Sequence, residues 1–325
     1  MRNVLTLFNG ISGCHLALDR AGLSFGTVYY SEIDKYANQV TQHHYPNDVA
    51  LGDVTKWREW DIDWSSIDLV TAGFPCQAWS VAGKQLGDKD ERGMLFWTTL
   101  EIIAHILKHN PKAKFLMENV KMKKEFEEYI THHTEQALGF VEKTLINSAL
   151  VSAQNRQRYY WTNFEVTQPD DKGILLRDII ENLNFNEVMS DNVEFKENCA
   201  QLDINNRGNK SQYQRAYYAN GKHGTLPADE AAFIEFSGKN ETVMKTGKTY
   251  CLTANYGGAW AKHSATKKVR TMAAVGFTQD SDVMTSHNQI KYRKLTPLEC
   301  ERLQTIPDNF TSMLSNAQRY KCLGN

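Results

Sequence analysis

The sequence predicts an α/β protein with a doubly wound, mainly parallel sheet. Over residues 1–164, short apolar segments alternate with helical apolar patterns, and polar or acidic residues follow several of the segments. This alternation is typical of a parallel sheet covered by helices on both faces. Residues that follow the strands then meet at one edge, where such sheets bind ligands. The alternation stops after about residue 164, so a loop-rich second region is expected there.

The elements follow in order along the chain. Strands are predicted at 3–8, 26–31, 51–54, 68–72, 114–117, around 140–151 and at 158–162. Helices are predicted where apolar residues recur with helical period, at 14–21, 35–43, 94–109 and near 124–137. A last helix is predicted over 293–310, with Thr296 as N-cap, Pro297 at its first position and Glu299 in a capping box.

Composition indicates a soluble, cytoplasmic protein. The 325 residues are 41% apolar and 23% charged, and no stretch of about 18 apolar residues occurs. The N-terminus turns polar too early for a signal peptide. The six cysteines form no CxxC pair, so neither a metal site nor a disulfide framework is predicted.

Charge is unevenly distributed, although the formal net charge is only −1. Residues 165–205 contain 3 basic and 10 acidic residues, whereas residues 206–270 contain 11 basic and 4 acidic ones. Aromatic residues such as Tyr256 and Trp260 lie among the basic ones. This mixture favours phosphate contact and base stacking, and a solvated surface with core aromatics is the alternative that the residues leave open.

A glycine-bearing loop, Phe8-Asn-Gly-Ile-Ser-Gly13, lies between the first strand and the first helix. It is not GxGxxG, and a tight turn is an equally good interpretation of the loop alone. Glu32 follows the second strand, 22 residues after Gly10, where an acid can grip a ribose hydroxyl pair. Loop and acid together predict an adenosyl ligand.

Four residues that follow predicted strands carry candidate chemistry: Glu32, Asp53, Cys76 and Glu118. Cys76 follows the rigid Pro75, and a thiolate at a strand end is a candidate nucleophile, although a lone cysteine is more often structural. Arg156 and Arg158 are spaced so that both point to one side of a strand. A nucleophile, an acid and a basic pair together are typical of an active site.

These residues resemble the ordered motifs of the cytosine-C5 DNA methyltransferases. The resemblance covers roughly 1–164 and 293–325 and includes the segments Leu7–Gly13, Ser31–Asp34, Gly52–Val54, Gly73–Gly83, Arg92–Phe96, Met117–Val120, Gln154–Tyr160, Arg293–Gln304 and Leu323–Asn325. It implies the Rossmann-like fold of the S-adenosylmethionine-dependent methyltransferases. It also implies two domains, a catalytic domain of 1–164 plus 293–325 and a target-recognition domain of 165–292.

The resemblance implies a role for each site residue. Cys76 would add to C6 of a flipped-out cytosine, Glu118 would hold and protonate the base, and a water is the expected base for the C5 proton. Arg156 and Arg158 would orient the base and stabilise the adduct, under a lid formed by residues 77–95. S-adenosylmethionine would be bound by Phe8, Gly10, Gly13, Glu32, Asp53, Pro75 and Asn325. Duplex DNA would be contacted by Gln77, Ser80 and Thr253. For Asp53, a helix N-cap is the structural alternative.

The expected partner is double-stranded DNA at a specific sequence, and a monomer is expected. The family's last motif normally continues into a helix beyond the Gly-Asn at 324–325, so activity is expected to need that segment or a partner. Three other classes are compatible with parts of the pattern: a tRNA cytosine methyltransferase, a catalytically silent DNA-binding homologue and a nicotinamide-dependent dehydrogenase. The Cys-Phe-Thr element of the tRNA enzymes does not occur, which disfavours the first class. The cysteine, the acid and both arginines are present, which disfavours a silent homologue. GxGxxG is absent, which disfavours a dehydrogenase.

Overall fold

The computed structural model describes residues 2–75, 94–181 and 295–324, together with the backbone of short strands between 189 and 294. The chain divides into two compact units. The first consists of Met1–Asn147 with Gln157–Gln168, and the second of Ser148–Arg156 with Pro169–Asn325. In the described residues, no helix combines the length and apolar character needed to span a bilayer. The predicted domain bounds, 1–164 plus 293–325 and 165–292, stay a prediction.

A seven-stranded sheet forms the centre of the first unit. Its strands are β1 (Asn3–Leu7), β2 (Val28–Ser31), β3 (Val49–Ala50), β4 (Ile67–Ala72), β5 (Lys114–Val120), β6 (Glu142–Asn147) and β8 (Gln157–Thr162). The two-residue strand β7 (Gln154–Asn155) belongs to the second unit. The order across the sheet is β3-β2-β1-β4-β5-β8-β6. The helices are α1 (Gly13–Arg20), α2 (Lys35–His44), α3 (Met94–His109) and α4 (Lys124–Leu138).

The first five strands of this order pair in parallel, and β8 runs antiparallel to both β5 and β6. Leu7 pairs with Ser31 on one side and with Ala72 on the other, and Ala72 pairs with Met117. The residues that directly follow these four positions therefore start from one row at one edge of the sheet. The sheet is mixed and mainly parallel, as the sequence predicts.

Helices cover both faces of β1, whose side chains alternate between the two. Leu5 and Leu7 belong to a buried cluster with Phe96 and Ile103 of α3. Val4, on the opposite face, packs in a second cluster with Leu18 of α1. A strand buried on both faces reads as a continuous apolar run, which is why this sequence signal is clear. The doubly wound arrangement is confirmed.

The predicted elements of the first unit, except the third strand, are confirmed apart from differences at their ends. The predicted third strand at 51–54 is wrong, because the strand occupies Val49–Ala50 and the chain turns at Gly52, whose φ is 75°. Asp53 then caps a 3₁₀ helix over Val54–Glu59. The fifth strand continues to Val120, since its last residues pair with β8.

The second unit contains short strands and two helices within its described part. The strands are β9 (Met189–Asn192), β10 (Glu194–Phe195), β11 (Leu202–Asp203), β12 (Arg215–Ala216), β13 (Phe233–Ile234), β14 (Thr249–Tyr250), β15 (Met272–Phe277) and β16 (Gln289–Lys294). The helices are α5 (Pro297–Leu303) and α6 (Asn316–Gly324).

The predicted helix over 293–310 is wrong at both ends, since β16 runs to Lys294 and α5 ends at Leu303. The predicted N-cap Thr296 and its capping box with Glu299 are nevertheless confirmed. Thr296 accepts from the Glu299 N–H at 3.2 Å, and the Glu299 carboxylate accepts from the Thr296 N–H at 2.7 Å, which completes the capping box. Thr305 has a φ of 56° and Pro307 follows, so the helix cannot continue.

Candidate active site

The loop after β1 has an unusual backbone. Phe8, Gly10 and Ser12 all have positive φ, at 56°, 55° and 65°. Left-handed backbone is unfavourable for residues with a Cβ and persists only where surrounding contacts hold it. At Gly10 and Gly13 an added Cβ would meet nothing within 4 Å, so the backbone of this loop is open to a ligand.

A buried group of polar side chains holds this loop in place. The amide nitrogen of Asn9 donates to the hydroxyls of Ser12 and Thr41, each at 3.1 Å. The hydroxyls of Ser12 and Thr41 lie 2.8 Å apart, and both residues are fully buried. None of the three was predicted from the sequence. Asn9 and Ser12 lie inside the glycine-bearing motif, whereas Thr41 on α2 carries no sequence signal.

Glu32 directly follows β2, and its carboxylate reaches the glycine loop. Oε2 accepts from the Gly10 N–H at 2.8 Å, and Oε1 accepts from the N–H groups of Ile33 and Asp34, each at 2.8 Å. The structure therefore brings together two of the residues predicted to bind a cofactor. Ile33 was not predicted, and its side chain is 78% exposed at the same edge. This exposure is a property of the structure, and no sequence pattern marks it.

Asp53 lies near the end of β2, because the Ser31 hydroxyl donates to the Gly52 carbonyl at 2.6 Å. Its Oδ1 accepts from the backbone N–H and the hydroxyl of Thr55, both at 2.9 Å. Asp53 is thus a helix N-cap, the alternative that the sequence left open. The residue is exposed, so capping does not exclude ligand contact.

The segment Gly73-Phe74-Pro75 leaves β4 and approaches the end of β5. A methyl group on Gly73 would lie 3.5 Å from Oε2 of Glu118. Phe74 is buried and its ring lies 5.4 Å from that of Phe96. The Asn119 amide nitrogen donates to the Phe74 carbonyl at 3.1 Å. The backbone that leads to the candidate nucleophile is therefore adjacent to the candidate acid.

Glu118 and Arg158 form an ion pair, with Nε of the arginine 2.8 Å from Oε1 of the glutamate. Glu118 pairs in the ladder with Tyr160, and Arg158 lies two residues from Tyr160 on β8. Diagonal neighbours of this kind share a face of the sheet, which explains the contact. The arginine side chain is 12% exposed and the carboxylate 27%, so the pair is partly shielded from water.

Arg156 lies in a different place from the predicted one. It falls between β7 and β8 rather than within one strand with Arg158, because the strand is interrupted there. Its carbonyl accepts from the Ser148 N–H at 3.0 Å. The structure assigns Arg156 to the second unit and Arg158 to the first. The predicted i, i+2 geometry on one strand is wrong.

The remaining predicted site residues lie outside the described residues: Cys76, Gln77, Ser80, Thr253 and Asn325. Most of the predicted lid, residues 77–95, does too. Among the described cysteines, burial raises the pKa of the Cys14 thiol, which disfavours a reactive thiolate there. Within the described part of the chain, no group of three or more His, Cys, Asp or Glu side chains is arranged to hold a metal ion.

A known protein family matches nearly the whole chain. The sequence model of the family described as "C-5 cytosine-specific DNA methylase" matches residues 2–325. The chain belongs to this family. It is accordingly a DNA (cytosine-5-)-methyltransferase, and the predicted enzyme class is confirmed.

Curated relatives are Type II methyltransferases of bacteria. M.NlaX of Neisseria lactamica is 29% identical over 100% of this chain and 92% of its own length. M.HhaI of Haemophilus parahaemolyticus is 28% identical over 99% of this chain and 89% of its own length. M1.ScrFI of Lactococcus lactis subsp. cremoris is 28% identical over 99% of this chain and 74% of its own length.

Solved structures confirm the fold. The Entamoeba histolytica methyltransferase EhMeth matches with a TM-score of 0.62 at 15% identity, over 100% of this chain and 93% of that one. The S. pombe Dnmt2 methyltransferase matches with a TM-score of 0.56 at 16% identity, over 99% of this chain and 93% of that one. The Rossmann-like methyltransferase fold that the resemblance implies is therefore present.

Proposed function

We propose that this enzyme transfers a methyl group from S-adenosylmethionine to C5 of a flipped-out cytosine in a specific duplex DNA sequence. We further propose that the reaction proceeds through a covalent adduct between Cys76 and C6. The observation that carries the proposal is the Glu118–Arg158 ion pair beside Gly73-Phe74-Pro75, the segment that leads directly to Cys76. An acid and a cation at the exit of a nucleophile-bearing strand suit nucleophilic addition to a base.

The chemistry explains why a thiolate is required. C5 of cytosine is too weak a nucleophile to take a methyl group unaided. Addition of the Cys76 thiolate forms an S–C6 bond and moves the electron pair of the C5–C6 double bond to C5. After methylation of C5, removal of the C5 proton re-forms the double bond and expels the thiolate. A water remains the proposed base for this proton.

Glu118 would hold the cytosine edge at N3 and the exocyclic amine. Protonation at N3 as the thiolate adds would neutralise the charge that develops on the ring. Arg158, at 2.8 Å, would fix the carboxylate in place and add favourable electrostatics in a partly shielded site. Arg156 would act on the base or on the segment around Cys76, as the family resemblance implies.

The described residues fit an adenosyl group. Gly10 and Gly13 leave the loop backbone open, and Glu32 presents a carboxylate at the adjacent strand end. A carboxylate there suits ribose hydroxyls, the exposed Ile33 suits the face of an adenine ring, and Asp53 suits its amine. Phe8, Pro75 and Asn325 are also proposed to bind the cofactor, as the family resemblance implies. When bound, S-adenosylmethionine supplies the electrophilic methyl group.

The proposed substrate is duplex DNA, and chemistry on a base within a duplex requires that the base leave the stack. Gln77, Ser80 and Thr253 are proposed to contact the DNA around the flipped cytosine. Residues 165–292 are proposed to read the target sequence. The relatives' Type II names suggest action within a restriction-modification system. A cytoplasmic monomer remains our proposal.

Methyl transfer tests the proposal directly. The chain is incubated with labelled S-adenosylmethionine and unmethylated plasmid, beside Cys76→Ala, and the products are mapped by bisulfite sequencing. We expect label on C5 at one short recurring sequence, and none with Cys76→Ala. Cys14→Ala is the matched control, because Cys14 is only partly buried, the pKa of its thiol is raised, and it is expected to be dispensable.

Three other outcomes contradict specific parts of the proposal. Cofactor and DNA binding without transfer would indicate a silent homologue. Transfer to tRNA but not to plasmid would indicate the RNA-modifying alternative. Activity retained by Cys76→Ala would exclude the covalent mechanism while leaving the methylation itself in place.

A further inference from the structure

The side chain of Asn119 connects two parts of the site that are distant in sequence. It is 1% exposed, and its Nδ2 donates to the carbonyl of Phe74, 45 residues away. Its Oδ1 accepts from the N–H of Val120 at 2.8 Å. The two partners fix the orientation of the amide, since a carbonyl needs a donor and an N–H needs an acceptor. Asn119 thus uses both ends of its side chain in backbone contacts.

Asn119 also adjoins the candidate acid in sequence. Successive side chains on a strand point to opposite faces. Glu118 therefore faces Arg158 across β5 and β8, while Asn119 points away from that ion pair and holds the chain that leaves β4. Two adjacent residues of β5 therefore contact Arg158 and the segment that leads to Cys76.

The carbonyl of Phe74 is the effective place to hold this segment. The next residue is proline, so the Phe74–Pro75 peptide bond has no N–H, and its carbonyl is its only hydrogen-bonding group. The Phe74 side chain is itself buried against Phe96. The peptide bond is planar and the proline ring fixes φ. Only the ψ of Pro75 then remains soft before the backbone nitrogen of Cys76.

We propose that Asn119 is a positioning residue for methyl transfer: by holding the Phe74 carbonyl, it sets where the chain delivers Cys76 relative to Glu118. This inference rests on the proposed function. Loss of the bond leaves the Phe74 carbonyl free to rotate and loosens the segment before Cys76. A misplacement of about 1 Å at a reacting group can reduce a rate about 100-fold.

Asn110 offers a matched control at the opposite end of β4. Its Nδ2 donates to the Ile67 carbonyl at 2.8 Å and to Oδ1 of Asp68 at 3.1 Å, its Oδ1 accepts from the Lys112 N–H at 3.2 Å, and it is 9% exposed. Each of Asn119→Ala and Asn110→Ala therefore removes an amide bond to a backbone carbonyl near one end of β4, and Asn110→Ala also removes the bond to Asp68. We expect the decrease in Tm for Asn110→Ala to be at least as large as that for Asn119→Ala. Only Asn119→Ala should lower kcat, by about 10- to 100-fold, with KM for DNA little changed.

A second variant separates positioning from folding. Asn119→Asp keeps the shape and the acceptor for Val120, but its ionised carboxylate cannot donate to the Phe74 carbonyl. Burial raises the pKa of such a carboxyl, and its protonated form regains the donor. The activity of the folded Asn119→Asp protein, relative to wild type, should therefore rise as pH falls. A structural role alone predicts a flat ratio.

The experiment measures kcat, KM and Tm for wild type, Asn119→Ala, Asn119→Asp, Asn110→Ala and Cys76→Ala. A kcat of Asn119→Ala within twofold of that of Asn110→Ala would overturn the inference, as would a pH-independent ratio for Asn119→Asp. An inactive wild type, or an active Cys76→Ala, would instead contradict the proposed function and remove the inference with it.

Discussion

At the residue scale, the carboxylate of Glu118 is held by a cation and faces the chain that leads to Cys76. Its Oε1 lies 2.8 Å from Nε of Arg158, and its Oε2 lies beside Gly73. A glycine at 73 leaves room at the second oxygen, which is the one that would meet a base. Glu118 therefore lies between the guanidinium of Arg158 and the backbone at Gly73.

Glu118→Gln should therefore impair chemistry more than binding. The amide keeps the shape but cannot cycle a proton at N3, so we expect kcat to fall by about 10²- to 10⁴-fold while DNA affinity changes little. Single-turnover methylation and DNA titration measure the two effects. Glu128→Gln, on the exposed face of α4, is the control. Equal decreases in both variants would contradict a catalytic role.

Glu32 is the carboxylate that we propose to bind the cofactor. Its carboxylate accepts three backbone N–H groups, and Glu32→Gln replaces one acceptor oxygen with a donor. Hydrogen bonds to a charged group contribute about 1.5–3 kcal/mol, so we expect KM for S-adenosylmethionine to rise about 10- to 100-fold. Isothermal titration with S-adenosylhomocysteine, the demethylated cofactor, measures the binding affinity without turnover. Glu59→Gln, an exposed site, should bind normally.

At the element scale, the start of α5 depends on its capping box. Thr296 also donates to Glu181 Oε2 at 2.6 Å, and Glu299 is fully buried. Thr296→Ala removes the N-cap and should lower the free energy of unfolding by about 1–2 kcal/mol. Urea denaturation measures this, with the exposed Ser312→Ala as control. An unchanged midpoint would mean that packing alone holds the helix.

The starts of β1 and β4 are joined by an ion pair whose strength depends on pH. The Arg2 backbone N–H, at 2.7 Å, and its guanidinium, at 2.9 Å, lower the pKa of Asp68. Because the folded-state pKa is below the unfolded one, the stabilisation is complete above the ordinary aspartate pKa of about 3.9. It is lost as pH falls through the folded-state value.

Asp68→Asn should consequently lower Tm at pH 7 by an amount that shrinks in acid. Thermal unfolding followed by circular dichroism from neutral to acidic pH measures the difference from wild type. Asp61→Asn, an exposed substitution in the same unit, is the control. A difference for Asp68→Asn that stays constant throughout the acid range would show that the ion pair contributes nothing through its charge.

At the scale of the whole molecule, the net charge of −1 conceals a basic region at 206–270. Binding to phosphates through this region predicts an affinity for DNA that falls with salt. Replacing Lys262, Lys267 and Lys268 by Gln should reduce the slope of log K against log salt by about 0.9 for each phosphate that the variant no longer neutralises. Fluorescence anisotropy measures the slope.

The control triple replaces Lys108, Lys112 and Lys124, which are exposed on the first unit. It changes the net charge equally but lies outside the basic region. If both triples change the slope equally, the dependence reflects overall charge, and the assignment of DNA contact to 206–270 is wrong.

Some features of the molecule follow from the sequence because they are local. The buried strands β1 and β4 read as apolar runs, α3 reads as a helix from Met94 to His109, and Thr296-Pro297 marks the start of α5. Capping and periodicity act over a few residues, so neighbours in sequence suffice to predict them. The order of motifs likewise identified the family and the predicted catalytic residues.

Other features were decided by the tertiary structure, because they depend on strand register and on contacts between distant residues. The register of β5 and β8 brings Glu118 to Arg158, and the break before β8 separates Arg156 from it. The bond from Asn119 to Phe74 spans 45 residues. No local pattern encodes such a separation, since folding of the sheet determines which side chains meet at its edge.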